Sequence, residues 1–115
     1  MNSPEFKAAL KLLSRLGLTA NYAGFYHASY AVALAFRDPS RLLFVTKCLY
    51  PDVATKFSTK PKCVERNIRT VAALAWERNS SLLCEMAEFQ LSKKPSNTEF
   101  LAILTTYLSS GKLSV

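Results

Sequence analysis

Apolar side chains recur every three or four residues through most of the chain, and polar or proline-marked breaks divide the pattern into helical runs. Ser3 before Pro4 opens the first, because the serine oxygen can accept from an orphan amide while proline lacks the amide that would go unsatisfied. Phe6, Leu10, Leu13 and Leu16 follow at helical spacing until Gly17, which predicts a first helix over residues 4–16. Tyr22, Phe25, Tyr26, Ser29, Tyr30, Ala33 and Leu34 predict a second over 22–36, closed by Arg37-Asp38-Pro39. Asp38 and Pro39 repeat the cap-then-proline signal. Leu42, Leu43, Val45, Cys48 and Leu49 then predict a third, mostly buried helix ending near Tyr50, before Pro51.

Pro51 opens a short fourth helix with Val53, Ala54 and Phe57 facing inward, followed by the polar connector Ser58-Thr59-Lys60. Pro61 suits the first turn of a fifth helix over 61–78. On a helical wheel Val64, Ile68, Val71, Ala72 and Ala75 share one side; Lys62, Arg66, Arg69 and Ala73 lie opposite, with Glu65 at the flank. Leu82, Leu83, Met86 and Phe89 suggest a further short helix before Lys93-Lys94-Pro95. Ser96-Asn97-Thr98-Glu99 is a capping box, and Phe100, Ile103, Leu104 and Leu108 extend a last helix to about Ser109. The whole reads as one all-α domain over residues 1–115, of about six helices around a central helix-turn-helix at 51–78. It is akin to the winged-helix-like superfamily, without an evident wing.

Glycine use supports this class. Only Gly17, Gly24 and Gly111 occur, so the stretch from 25 to 110 lacks the residue that hairpins and bulges most often need. Fifteen Lys and Arg against eight Asp and Glu give a net charge of +7, which points to a polyanionic partner, nucleic acid foremost. Cys48, Cys63 and Cys84 lack the spacing of a zinc or redox site, so free thiols in a reducing compartment are expected and no metal or cofactor is. His27 has no assignable acid or nucleophile partner, so no catalytic residue is assigned and the chain is not expected to be an enzyme. The N-terminus has an early carboxylate and no extended apolar run, which predicts neither a secretory signal nor a membrane anchor but a cytoplasmic, nucleoid-associated protein.

In a helix-turn-helix the first helix braces across the backbone and the second presents its N-terminal residues to the major groove. Ala54 suits the close contact between the two helices, and Phe57 and Val64 can close their small core. Lys56, Lys60, Lys62, Arg66 and Arg69 cluster here, with Glu65 as their only acidic neighbour. Arginine reads guanine through O6 and N7, and glutamate accepts from the cytosine amino group. Arg66 and Glu65, a turn into the fifth helix, therefore stand where base readers are expected, with Lys62 and Arg69 on the same basic face. Lys56, Thr59, Lys60, Lys93 and Lys94 are the expected phosphate contacts. The plain alternative is an amphipathic helix with a solvated basic face.

The run Val45-Thr46-Lys47-Cys48-Leu49-Tyr50-Pro51-Asp52-Val53-Ala54-Thr55-Lys56-Phe57, with Val64-Glu65-Arg66-Asn67-Ile68-Arg69 and Ala75-Trp76-Glu77-Arg78, closely resembles the C-terminal effector domain of the sporulation master response regulator of endospore-forming Firmicutes. Lys94-Pro95-Ser96-Asn97-Thr98-Glu99-Phe100 resembles the start of that family's last helix. The resemblance implies a helix-turn-helix that binds boxes containing TGTCGAA, often as tandem protomers at promoters. It also implies base reading by Glu65 and Arg66, with Arg69 as a further basic contact.

Two departures accompany the likeness. Cys63 stands where the family usually has an arginine, so site preference is expected to differ, and the stretch between Trp76 and Lys94 is shorter than is typical. The family's regulator also carries a phosphorylatable receiver domain ahead of this one, whereas the first helix here is expected from residue 4. Control by expression, by a partner or by competition for sites is expected instead. A reactive thiol at Cys63 beside Lys62 and Arg66 would make binding redox-sensitive; an inert thiol is the plainer reading. The rival to DNA binding is a module that keeps the fold but acts by pairing with a full-length regulator, or that has drifted from DNA binding altogether; RNA polymerase is a further expected partner of a DNA-bound regulator.

Overall fold

A computed structural model describes residues 3–88 and 90–111. Its α-helices are α1 (Pro4–Arg15), α2 (Ala23–Arg37), α3 (Tyr50–Lys56), α4 (Pro61–Ala87) and α5 (Asn97–Ser109), and no strand occurs among the described residues. The all-α expectation holds. Ser3 caps α1 by accepting from the Phe6 amide at 3.1 Å, and Gly17, at φ +93°, ends the run. Ser96 and Glu99 cap α5 reciprocally: the Glu99 amide donates to Ser96 Oγ and the Ser96 amide to the Glu99 carboxylate. Those bonds, from the Ser96 backbone first, hold the Glu99 carboxyl below its ordinary range.

Helix α2 lies at the centre, packed against α1, α4 and α5. Its buried Ala28, Ala31 and Ala35 are small enough to let several helices approach at once. Leu12, Leu13 and Leu16 from α1 and the turn after it, Ile68, Val71 and Ala75 from α4, and Phe100, Leu101 and Leu104 from α5 complete the core. Burial of Val64, Ile68, Val71, Ala72 and Ala75 is the apolar face expected of the fifth predicted helix.

The third predicted helix is not an α-helix, and it is not mostly buried. Residues Pro39–Leu43 form a 3₁₀ turn, started by Asp38, whose carboxylate accepts from the Ser40 amide and hydroxyl. Residues Val45–Leu49 form a π-helical turn, in which the Leu49 amide donates to the Phe44 carbonyl at 3.3 Å. Only Val45 and Leu49 of this stretch are buried; Cys48 is exposed. Pro51 also does not break the chain. Its ring would collide with the carbonyl four residues back in α geometry, and the wider π turn lets helical backbone run on from residue 45 to 56.

The short helix placed at 79–94 is the continuation of α4. Asn79 interrupts it at φ −155°, ψ 57°; its side chain accepts from the Leu82 amide at 3.3 Å and donates to the Arg15 carbonyl at 3.2 Å. The fifth predicted helix therefore ends near 78 as expected, and a second segment restarts on an asparagine cap. Phe89, assigned to that segment from the sequence, lies outside the described residues.

Candidate nucleic-acid interface

Helices α3 and α4 are joined by a tight turn at 57–60. The Thr59 amide donates to the Ala54 carbonyl at 2.9 Å and the Ser58 amide to Thr55 at 3.3 Å, with Ser58 left-handed at φ 53°. This is a Schellman ending with serine where glycine is the usual occupant. Ala54 and Val64 are buried between the two helices, and Phe57 is half-buried. Phe57 packs against His27 with the rings tilted, centroids 5.1 Å apart, and meets Tyr30 edge-on at 5.8 Å. Burial lowers the His27 pKa, and the neutral ring faces Asn67 of α4, with Asn67 Nδ2 3.4 Å from Nδ1.

The first turn of α4 has no acidic residue and no side-chain cap, so the positive end of its dipole is uncompensated from within the helix. Lys60, Lys62 and Arg66 are exposed along its outer face. Among the described residues no carboxylate pairs with Arg66, whose Nη2 lies 3.9 Å from the half-buried Cys63 thiol. Glu65 and Arg69, by contrast, form an ion pair one turn apart. The Glu65 carboxylate raises the Arg69 pKa above its ordinary value. Glu65 and Arg69 are thus committed to each other, whereas Arg66 has no carboxylate partner among the described residues.

Glu65 and Arg69 line a cleft with Lys94, Thr46, Tyr50 and Asn97. Asn97, at the start of α5, donates to the Glu65 carbonyl at 2.9 Å and to the Tyr50 hydroxyl at 3.1 Å. One amide thus links α3, α4 and α5. Sequence reading placed Asn97 only inside a capping box; nothing local to it signals the tertiary role. Of the remaining expected contacts, Thr59 is half-buried in the turn, and Lys56 projects over the Tyr30 ring, its ammonium 5.9 Å from the centroid. Lys93 and Lys94 share a second cleft beside Leu91 and Glu99, and of the two only Lys94 also lines the cleft of Glu65 and Arg69.

No grouping of three or more potential metal ligands occurs among the described residues, and no helix among them is long and apolar enough to cross a membrane. The geometry is a brace helix, a tight turn and a cation-bearing helix. A family model described as sporulation initiation factor Spo0A C terminal matches residues 9–108. The chain belongs to that family. The matched span takes in every α-helix from the middle of α1 to the last turn of α5, with both helices of the motif. Membership identifies the fold as that of a DNA-binding effector domain of a sporulation regulator.

Proposed function

We propose that this domain regulates transcription by binding double-stranded DNA in a sequence-specific way, with the first turns of α4 in the major groove and boxes of the TGTCGAA type as targets. Arg66 is the principal base reader, Glu65 and Arg69 act as a coupled pair, and Lys62 supports them. Lys56, Thr59, Lys60, Lys93 and Lys94 hold the phosphates. The protein works in the cytoplasm by binding rather than catalysis, as a homodimer or as tandem protomers on DNA. The observation that carries this reading is Arg66, exposed on the outer face of a helix packed by its other side and free of any carboxylate among the described residues.

The test is a titration of labelled duplexes with and without a TGTCGAA box at two salt concentrations. Tight, salt-sensitive binding to the box is expected, because neutralised phosphates release counterions. Arg66→Ala should cost roughly 1–3 kcal/mol on the box and relax base preference, whereas Lys56→Ala should weaken all sequences alike. Equal affinity for both duplexes, or Arg66→Ala and Lys56→Ala merely scaling all affinities together, would overturn the assignment. Capture of a full-length regulator or RNA polymerase without any duplex binding would favour the interaction module.

A further inference from the structure

Leu43 is 77% exposed and Phe44 54%, and they are the large hydrophobic residues left exposed among those described. Single exposed apolar side chains are ordinary, but an adjacent pair on fixed backbone is less so. The pair sits where the 3₁₀ turn meets the π turn. The Phe44 carbonyl accepts from both Cys48, at 2.8 Å, and Leu49, at 3.3 Å, which anchors its backbone to the π turn that leads into α3. π turns inside helical backbone frequently accompany functional sites.

The groove beside the pair is lined by residues 42–47 and Thr98, and its only charged residue is Lys47. Thr46 and Thr98 also line the cleft that holds Glu65, Arg69 and Lys94, so the two depressions share a rim. A surface with apolar side chains, one cation and no carboxylate, continuous with the cation-bearing face of α4, suits a polyanion that also presents apolar edges. Duplex DNA does so through deoxyribose and thymine methyl groups, and apolar side chains also wedge between base steps.

We propose that Leu43, Phe44 and Lys47 form a second DNA contact, in which Lys47 meets a phosphate and the apolar pair packs on sugar and base edges flanking the box read by α4. This rests on the DNA-binding reading above. It gives the domain a footprint longer than the box, with preference for flanks whose groove shape admits the pair.

The experiment compares a duplex trimmed to the box with one extended by about ten base pairs on each side, roughly one helical turn. Both are titrated with wild type, with the double variant Leu43→Ser/Phe44→Ser and with Lys47→Ala. Wild type should prefer the extended duplex by about tenfold, within the range of a few lost contacts. The double variant should lose most of that preference and still bind the trimmed duplex as wild type does. Lys47→Ala should lower the salt slope by about one on the extended duplex alone. All three substitutions are at exposed positions, and Lys47→Ala carries the test should the double variant lose its helical signal.

Absence of a wild-type preference for the extended duplex overturns the proposal, as does a variant that keeps the preference or loses the same factor on both duplexes. A double variant that loses only the steepness of binding to a two-box duplex overturns it too, by assigning the patch to contact between protein copies. Wild-type protein that binds no box above a box-free control fails the DNA-binding reading itself, a separate result.

Discussion

Asn97 in the first turn of α5 donates to the backbone carbonyl of Glu65 in α4 at 2.9 Å, 32 residues away in sequence. The same amide nitrogen donates to the Tyr50 hydroxyl at 3.1 Å, so it spans the two helices of the motif. Burial raises the Tyr50 pKa from a value already well above neutrality, so the hydroxyl is protonated at neutral pH. Asn97→Ala removes both bonds and leaves a buried hydroxyl short of a partner, a loss of about 1–3 kcal/mol. Urea unfolding should show a lower midpoint at unchanged slope. Discrimination between box and control duplexes should fall as well, because Glu65 and Arg69 lose their fixed position. A variant with wild-type stability would mean that water replaces the amide without cost.

Gly24 of α2 lies directly against the backbone of α4. A Cβ at this position would lie 2.3 Å from the Asn67 carbonyl oxygen and 2.5 Å from Val71 Cγ2. The first obstacle is backbone and cannot rotate away. Gly24→Ala should therefore destabilise by about 1–3 kcal/mol through overpacking, outweighing the ~1 kcal/mol that alanine gains in helix propensity. Thermal unfolding checks the sign: a raised midpoint would show that α2 and α4 can separate freely.

The parts of this fold written in local chemistry were legible in the sequence. Pro4, Pro61 and the Ser96–Glu99 box mark helix starts because each satisfies or removes orphan amides within three residues of itself. The apolar wheel of α4 was legible for the same reason: one helix face predicts its own burial. The 39–49 stretch was not. Its apolar spacing fits a buried α-helix, yet Asp38 draws the Ser40 amide into a tight 3₁₀ turn, a π turn follows at Val45–Leu49, and Leu43 and Phe44 at their junction are exposed. At the candidate interface the cation-bearing face could be placed by periodicity alone. The Glu65–Arg69 pairing and the Asn97 link could not, because both depend on rotamers and on how α5 docks.

Ser58 occupies the left-handed position of the motif's turn at φ 53°. A side chain there costs roughly 1 kcal/mol relative to glycine, which has no Cβ to crowd the carbonyl. Ser58→Gly should therefore stabilise the fold by up to about 1 kcal/mol, reduced by the extra entropy glycine brings to the unfolded chain. Ser58→Val should destabilise by more than that, since a branched Cβ tolerates this region worst. Melting temperatures of the three proteins should rank glycine, serine, valine from high to low, and a reversed order would show that the Ser58 side chain contributes something its strained backbone conceals.

His27 links stability to pH through the same region. Burial lowers its pKa in the folded protein from the ordinary 6.5, so the native state favours the neutral ring, while the unfolded chain protonates near the ordinary value. Below that value the unfolded state binds more protons than the native state, and stability must fall as pH drops from 6.5 toward the folded pKa. Local geometry agrees in sign, because protonation at Nδ1 would set a donor against the Asn67 amide 3.4 Å away. Denaturant midpoints should therefore decline between about pH 7.5 and 5.5, a window above the range where carboxylates protonate. His27→Gln should flatten that decline whatever its own basal stability. A variant that keeps the full slope would place the titrating group elsewhere and leave His27 as packing for the Phe57 ring, 5.1 Å away.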